Sequence, residues 1–219
     1  MSLPGTMKHG LYFGNNDARV AEGPVPTIGP REVLVRVATC GICGSDTMQW
    51  YREPAIQRMG GINTGHEIAG EIVEVGGSVS QYAAGDRVIV VHHFPCMECP
   101  SCQDGNETAC EAMREKHIEP GGFSQYIRVL EKCVAHGLYR LPDSMTYEQG
   151  SFVEPLGCVV RGMRKASPVA GRTAMQRRPA ACFEANPANN PSQIPRQGSR
   201  ECRCWHEYIY HLRLAYTCS

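Results

Sequence analysis

The chain has 219 residues, 42% of them hydrophobic, with 22 Lys plus Arg against 22 Asp plus Glu. That is enough apolar content for a real core, and the balanced charge points neither to nucleic acid nor to an acidic surface as a partner. No apolar run approaches the roughly 18 residues that cross a bilayer, and the opening MSLPGTMKHGLYFG lacks the apolar heart of a signal peptide, so no membrane partner is expected and the expected location is cytoplasmic.

Four segments rich in Val, Ile and aromatics are predicted strands: Glu32 to Cys40, Glu67 to Gly76, Asp86 to Val91 and Phe123 to Val129. VGGSVSQYAAGDRV places turn signals between the second and third. A short helix is expected from Ser45, an N-cap type residue, and a longer one from Pro155 through LGCVVRGMRKA. The first 140 residues therefore predict a compact, mainly β unit with short helices and long functional loops. Composition breaks near Gly171. The preceding residues contain 17 Val and 22 Gly, whereas residues 172–219 contain a single Gly, no Val, Lys or Asp, and seven Arg against three Glu. This tail has no sustained period of 2 or 3.6 and is interrupted by Pro, so an irregular segment is expected there.

CMECPSCQDGNETAC supplies Cys96, Cys99, Cys102 and Cys110. A structural zinc needs a closed tetrahedron of thiolates, and a turn at DGN can fold the fourth sulfur back to the other three. With all four positions taken by protein such a zinc holds the fold and leaves no place for substrate. Free or disulfide-paired thiols are the alternative, less common for closely spaced cysteines without a secretion signal.

A second group is spread through the chain: Cys43 in CGICGSD, with Ser45 and Asp46 behind it, His66 and Glu67 in GHE, and Glu154 in VEPLGC. Thiolate, imidazole and carboxylate donors suit a catalytic zinc, which takes about three protein ligands and keeps one position open. A lone His beside a Glu at a strand start is more often a surface pair, so this reading depends on distant residues converging.

CGICGSD, GHEIAGEIVEVG, AAGDRV, the four-cysteine segment and VEPLGC together resemble the zinc-containing medium-chain alcohol dehydrogenases, in particular their polyol and threonine dehydrogenase branch. The resemblance covers residues 7–171. It implies a GroES-like, partly open β-barrel with a four-cysteine zinc lobe, two Zn2+ ions, and a small alcohol or polyol as substrate, with hydride passing to NAD(P). It further implies Cys43, His66 and Glu154 as ligands of the catalytic zinc, with Glu67 as a direct or exchanging ligand in competition with water. Asp46 would accept a hydrogen bond from the free ring nitrogen of His66, and Ser45 would receive the substrate proton. His92 stands at a substrate-pocket position, although a plain barrel-surface His is an equal reading. Many relatives carry a relay His where this chain has Met48.

Cys40, Cys133 and Cys158 are expected to be core thiols. Trp50 and Tyr51 either line the pocket or simply pack. The G-x-G-x-x-G turn of a dinucleotide-binding domain does not occur after AGRT, and residues 172–219 are expected to be a disordered or out-of-frame tail standing in place of that domain, so the chain is expected to be a truncated dehydrogenase, inactive alone. A non-enzymatic zinc-binding remnant or interaction module is the alternative. A homo-oligomer is compatible with the resemblance, and Arg, Cys, His and aromatic residues in the tail match no nucleic-acid or zinc module.

Overall fold

The structure, a computed structural model, describes residues 3–166. The 172–219 segment and the last residues of the expected 7–171 domain lie outside the described residues. Contacts divide the chain after Glu154, and the strands described here belong to the first unit.

Six strands make one antiparallel sheet: β3 (Val33–Gly41), β4 (Glu67–Val75), β5 (Arg87–Val90), β6 (Ile118–Glu119), β7 (Tyr126–Val129) and β8 (Leu138–Arg140). Their order is β6-β7-β3-β4-β5-β8. Alternation selects the inward face. In β7, Ile127 and Val129 are fully buried while Tyr126 and Arg128 are half-buried, the period of 2 expected of a strand with one core face. Val33, Val35, Ile68, Ile72, Val88 and Val90 complete a core of β-branched side chains at 0% exposure. Each such burial contributes about 1.5–3 kcal/mol. Register shifts between Leu34 and Val35 and between Val37 and Thr39 bend the central β3–β4 pair and curl the sheet into a half-barrel.

A separate hairpin, β1 (Thr6–Gly14) and β2 (Asp17–Pro24), was not anticipated from the sequence. Its turn residues Asn15 and Asn16 have φ of 50° and 62°, the paired left-handed values that Asn tolerates and two-residue hairpins need. The signal was GNND between TMKHGLYF and ARVAEG; β2 is too exposed to show an apolar face. Isolated bridges His9 to Ser124 and Tyr12 to Ile62 tie the hairpin to the segments that lead into β7 and β4. This explains why the expected strand from Phe123 starts as β7 only at Tyr126. Residues Phe123 to Gln125 bond to β1 through Gly10 N–H to Phe123 O and Gln125 N–H to Lys8 O.

The short helix expected from Ser45 is instead a 3-10 turn at Gly44–Asp46, followed by an 11-residue helix α1 (Gln49–Met59) that tolerates Pro54 in its interior. Ser45 caps nothing; the cap position is Cys43, whose N–H is held by the Asp46 carboxylate. The later helices are α2 (Pro100–Gln103), α3 (Glu131–His136), α4 (Tyr147–Ser151) and α5 (Val153–Ala166). α4 packs on β3, β4 and β5. α5 begins two residues ahead of Pro155, which falls in its first turn, where a missing N–H costs nothing. Cys133 is fully buried and Cys40 half-buried, but Cys158 is exposed, which corrects its reading as a core thiol: Leu156, Gly157 and Cys158 are exposed together.

Candidate metal sites

The cysteine lobe is built from one stretch of chain. Cys99 caps α2, Cys102 lies on it, and the turn through Gly105 returns the chain to Cys110. The sulfurs of Cys99 and Cys102 are 3.5 Å apart, those of Cys96 and Cys110 3.5 Å, and those of Cys96 and Cys102 4.0 Å. A tetrahedron of thiolates about 2.3 Å from a zinc has edges of about 3.8 Å, so the four sulfurs already sit at the corners of a zinc-sized cage. Backbone N–H groups are aimed at them, Cys99 N–H at Cys96 Sγ (3.3 Å) and Cys96 N–H at Cys110 Sγ (3.4 Å), as suits sulfurs that carry negative charge. Without a metal the thiols do not ionise together. N–H groups of Glu98 and Cys99 pull Cys96 down to about 6, while burial pushes Cys102 up to about 12. His117 fastens the lobe to the barrel: its Nε2 lies 2.7 Å from Ala112 O and its ring 4.2 Å from that of Phe94.

The second group assembles where β3 ends and β4 begins. Donor atoms of Cys43, His66 and Glu67 all lie within 4.8 Å of one another. Two glycines make this possible. Gly41 and Glu67 are register partners on β3 and β4, and the Glu67 carboxylate occupies the space where any Cβ at position 41 would stand. Gly65, at φ 90°, turns the chain tightly against Cys40 Sγ and Phe123 N immediately before His66.

Asp46 organises the group. It is 2% exposed, its Oδ2 accepts from Cys43 N–H at 2.9 Å, and its Oδ1 accepts from Gly65 N–H at 3.1 Å and lies 3.3 Å from His66 Nδ1. One carboxylate thus holds both the Cys43 turn and the residue before His66, and leaves the other ring nitrogen of His66 for Cys43 Sγ. Burial opposes charge on His66, but hydrogen bonds to Asp46 and Cys43, together with the charge of Glu154, raise it to about 10. Cys43 is lowered first by its hydrogen bond to His66 and further by Ser45, against the effect of burial. Burial raises both Glu67 and Glu154; the charge of His66 lowers both and that of Asp46 raises both, and Glu67 adds to the difficulty of ionising Glu154. Cys43, Asp46, Glu67 and Glu154 outnumber the one histidine as potential charges, an excess that suits a divalent cation.

Glu154 stands outside the 4.8 Å group, so the structure gathers three of the four expected donors and leaves the fourth as an electrostatic neighbour. Ser45 turns its hydroxyl and its N–H toward Cys43 Sγ. The His92 ring is 5.1 Å from that of His66, its Nδ1 is buried without a hydrogen-bond partner, and burial depresses its pKa to about 2. His93, stacked 3.7 Å from His92, was not singled out from the sequence; the only signal was the HH dipeptide. Arg52 was missed as well, although its Nε donates to Ser45 O at 2.8 Å and its guanidinium lies 3.5 Å from Asp46. No helix among the described residues is long and apolar enough to cross a membrane.

A curled antiparallel half-barrel thus carries a four-cysteine lobe and a mixed Cys–His–Glu cluster, each with donors close enough together to hold a metal ion. Residues 29–143 match the alcohol dehydrogenase GroES-like domain, and the chain belongs to that family. It is 32% identical over 177 residues to sorbitol dehydrogenase of Bacillus subtilis, covering 78% of this chain and 49% of that protein. It is 36% identical over 146 residues to L-threonine 3-dehydrogenase of Symbiobacterium thermophilum, covering 65% and 40%. A solved Escherichia coli protein described as a short chain alcohol dehydrogenase, in complex with NADH, superposes with a TM-score of 0.60 at 27% identity over 76% of this chain and 47% of the other. The chain spans about half the length of the curated relatives it matches.

Proposed function

We propose that this chain is the zinc-binding catalytic domain of an NAD(P)-dependent dehydrogenase that oxidises a secondary alcohol of a small polyol or hydroxy compound. The observation that carries the reading is the convergence of Cys43, His66 and Glu67, from two separate strand ends, on one 4.8 Å cluster with the Asp46 carboxylate behind the histidine. Relatives named for sorbitol and threonine oxidation support the substrate class.

Cys43 Sγ and the ring nitrogen of His66 that faces it are assigned as ligands of the catalytic zinc, with Glu67 or water taking a further position and Glu154 as a ligand that would move in from outside the inner group. Zinc bound there supplies the electrophilic pull that makes an alcohol hydroxyl acidic near neutral pH. Asp46 keeps the hydrogen of His66 on Nδ1, which leaves the other nitrogen's lone pair for ligation. Ser45, now bonded to Cys43 Sγ, is the hydroxyl that takes the substrate's proton. Met48 has no titratable group, so a proton leaving Ser45 passes to water. His92, kept neutral by burial, offers an unpartnered Nδ1 to a hydroxyl-bearing substrate. Cys96, Cys99, Cys102 and Cys110 are assigned to a second, structural zinc. NAD(P) would be bound by residues outside the matched domain, as no G-x-G-x-x-G turn occurs in the chain.

Native mass spectrometry tests the site directly. Two zinc ions are expected on the chain and one on a Cys43→Ser variant. Retention of both ions after that substitution overturns the assignment. Titration with NAD and NADP, beside an absorbance assay with sorbitol and threonine, tests the rest. No turnover is expected from these residues alone, and turnover that survives Cys43→Ser would place the chemistry elsewhere.

A further inference from the structure

We infer that Arg52 is a positioning residue for the Cys43–His66 metal site, acting as the permanent counter-charge of Asp46. This rests on the reading of Cys43 and His66 as metal ligands. The Asp46 carboxylate is almost fully buried, and an uncompensated charge in such a place is costly. Among the described residues, the cationic side chains that pair with it are His66 and Arg52. A histidine that ligates a metal must give up its charge, since the lone pair on the second nitrogen is what it donates. As a ligand His66 therefore faces Asp46 as a neutral ring, and Arg52 is the cation beside the carboxylate.

The geometry fits this role. Arg52 lies on the second turn of α1, 21% exposed in its side chain, with its guanidinium 4.9 Å above the Tyr51 ring. Its Nε holds Ser45 O at 2.8 Å while its NH2 reaches Asp46 Oδ1 at 3.5 Å, so one planar group spans two of the three residues of the 3-10 turn that follows Cys43. A guanidinium remains charged at every accessible pH and presents several donors in fixed directions. Without it, Asp46 would lose the cation that fixes it against the turn after Cys43, and the carboxylate that holds Cys43 N–H and faces His66 Nδ1 would be free to shift, changing how the ring is presented to metal.

The test uses the full chain with zinc kept in the cysteine lobe and Co2+ at the second site, measured by chelator competition and by the visible absorption of the cobalt ion. Arg52→Gln retains a donor for Ser45 O but removes the charge. It is expected to weaken Co2+ binding about tenfold or more and to shift the cobalt bands, with the lobe zinc retained. Arg52→Lys restores the charge without the fork and is expected to recover most of the affinity. A glutamine variant with wild-type affinity and spectrum, or a lysine variant no better than glutamine, overturns the inference. A wild-type chain that binds no second metal overturns the site reading and this inference with it, whereas a wild type that binds Co2+ beside an unaffected Arg52→Gln overturns the inference alone.

Discussion

The cysteine lobe and the Cys43–His66 cluster are both metal-sized, but they are made in opposite ways. The lobe draws four identical donors from one segment whose ends lie 14 residues apart, so closing it orders a short loop. The cluster draws unlike donors from the end of β3 and the start of β4, with Glu154 at the head of α5 acting from outside the 4.8 Å group. It exists only once the sheet has formed. The lobe is held by its own backbone N–H groups, whereas the cluster is held by a buried carboxylate and an arginine. A site that keeps its ligands through few local bonds can change coordination, and one caged by its own loop cannot.

The largest effect that would sharpen this contrast is expected from Cys102→Ser. It should release the lobe metal, leave the Cys43 site loaded, and destabilise the domain by at least about 4 kcal/mol, because folding and metal binding are coupled. Thermal denaturation with native mass spectrometry reads both quantities, and a variant of unchanged stability breaks the distinction between the two sites. Next comes Asp46→Ala, expected to weaken the second metal about 10–100-fold while the lobe keeps its ion, since it strips His66, Cys43 N–H and Gly65 N–H of their common acceptor. Metal analysis after graded chelator dialysis checks this.

Gly41→Ala is expected to be smaller, about 1–3 kcal/mol, because its methyl must displace the Glu67 carboxylate. The structural consequence is specific: metal affinity at the Cys43 site should fall with the loss of stability, with no change in the lobe. Smallest is a pair that belongs to neither site, Glu32 and Arg128, joined by bonds of 2.7 and 2.8 Å. The Arg128 guanidinium holds the Glu32 carboxyl below its ordinary value. A depressed folded value means that this contribution is present above the unfolded pKa of about 4.3 and disappears as pH falls through the lower folded value. Glu32→Gln should therefore cost about 1 kcal/mol or somewhat more at pH 7, and the difference from wild type should close in acid. Chemical denaturation at pH 7 and at pH 3 measures it, and an equal effect on metal content at both sites would show that this link between the start of β3 and β7 and the metal sites are not independent.

The sequence by itself determined what depends on neighbours along the chain. Val and Ile runs marked β3, β4 and β5 to within a residue or two, because a strand buried in a sheet core needs β-branched apolar side chains whatever its partners are. The cysteine spacing marked the lobe for the same reason, and the observed sulfur distances show that a short loop suffices to close it. The tertiary structure alone decided what depends on register and approach. It put Gly41 opposite Glu67 and so made room for the carboxylate, and it drew Phe123 to Gln125 away from β7 toward the unanticipated β1 hairpin. It also left Glu154 outside the inner donor group and laid Arg52 across Ser45 and Asp46. None of these has a local signature: a glycine, a glutamate and an arginine look alike anywhere in a sequence, and their meaning comes from atoms that only the folded sheet brings within a few ångströms.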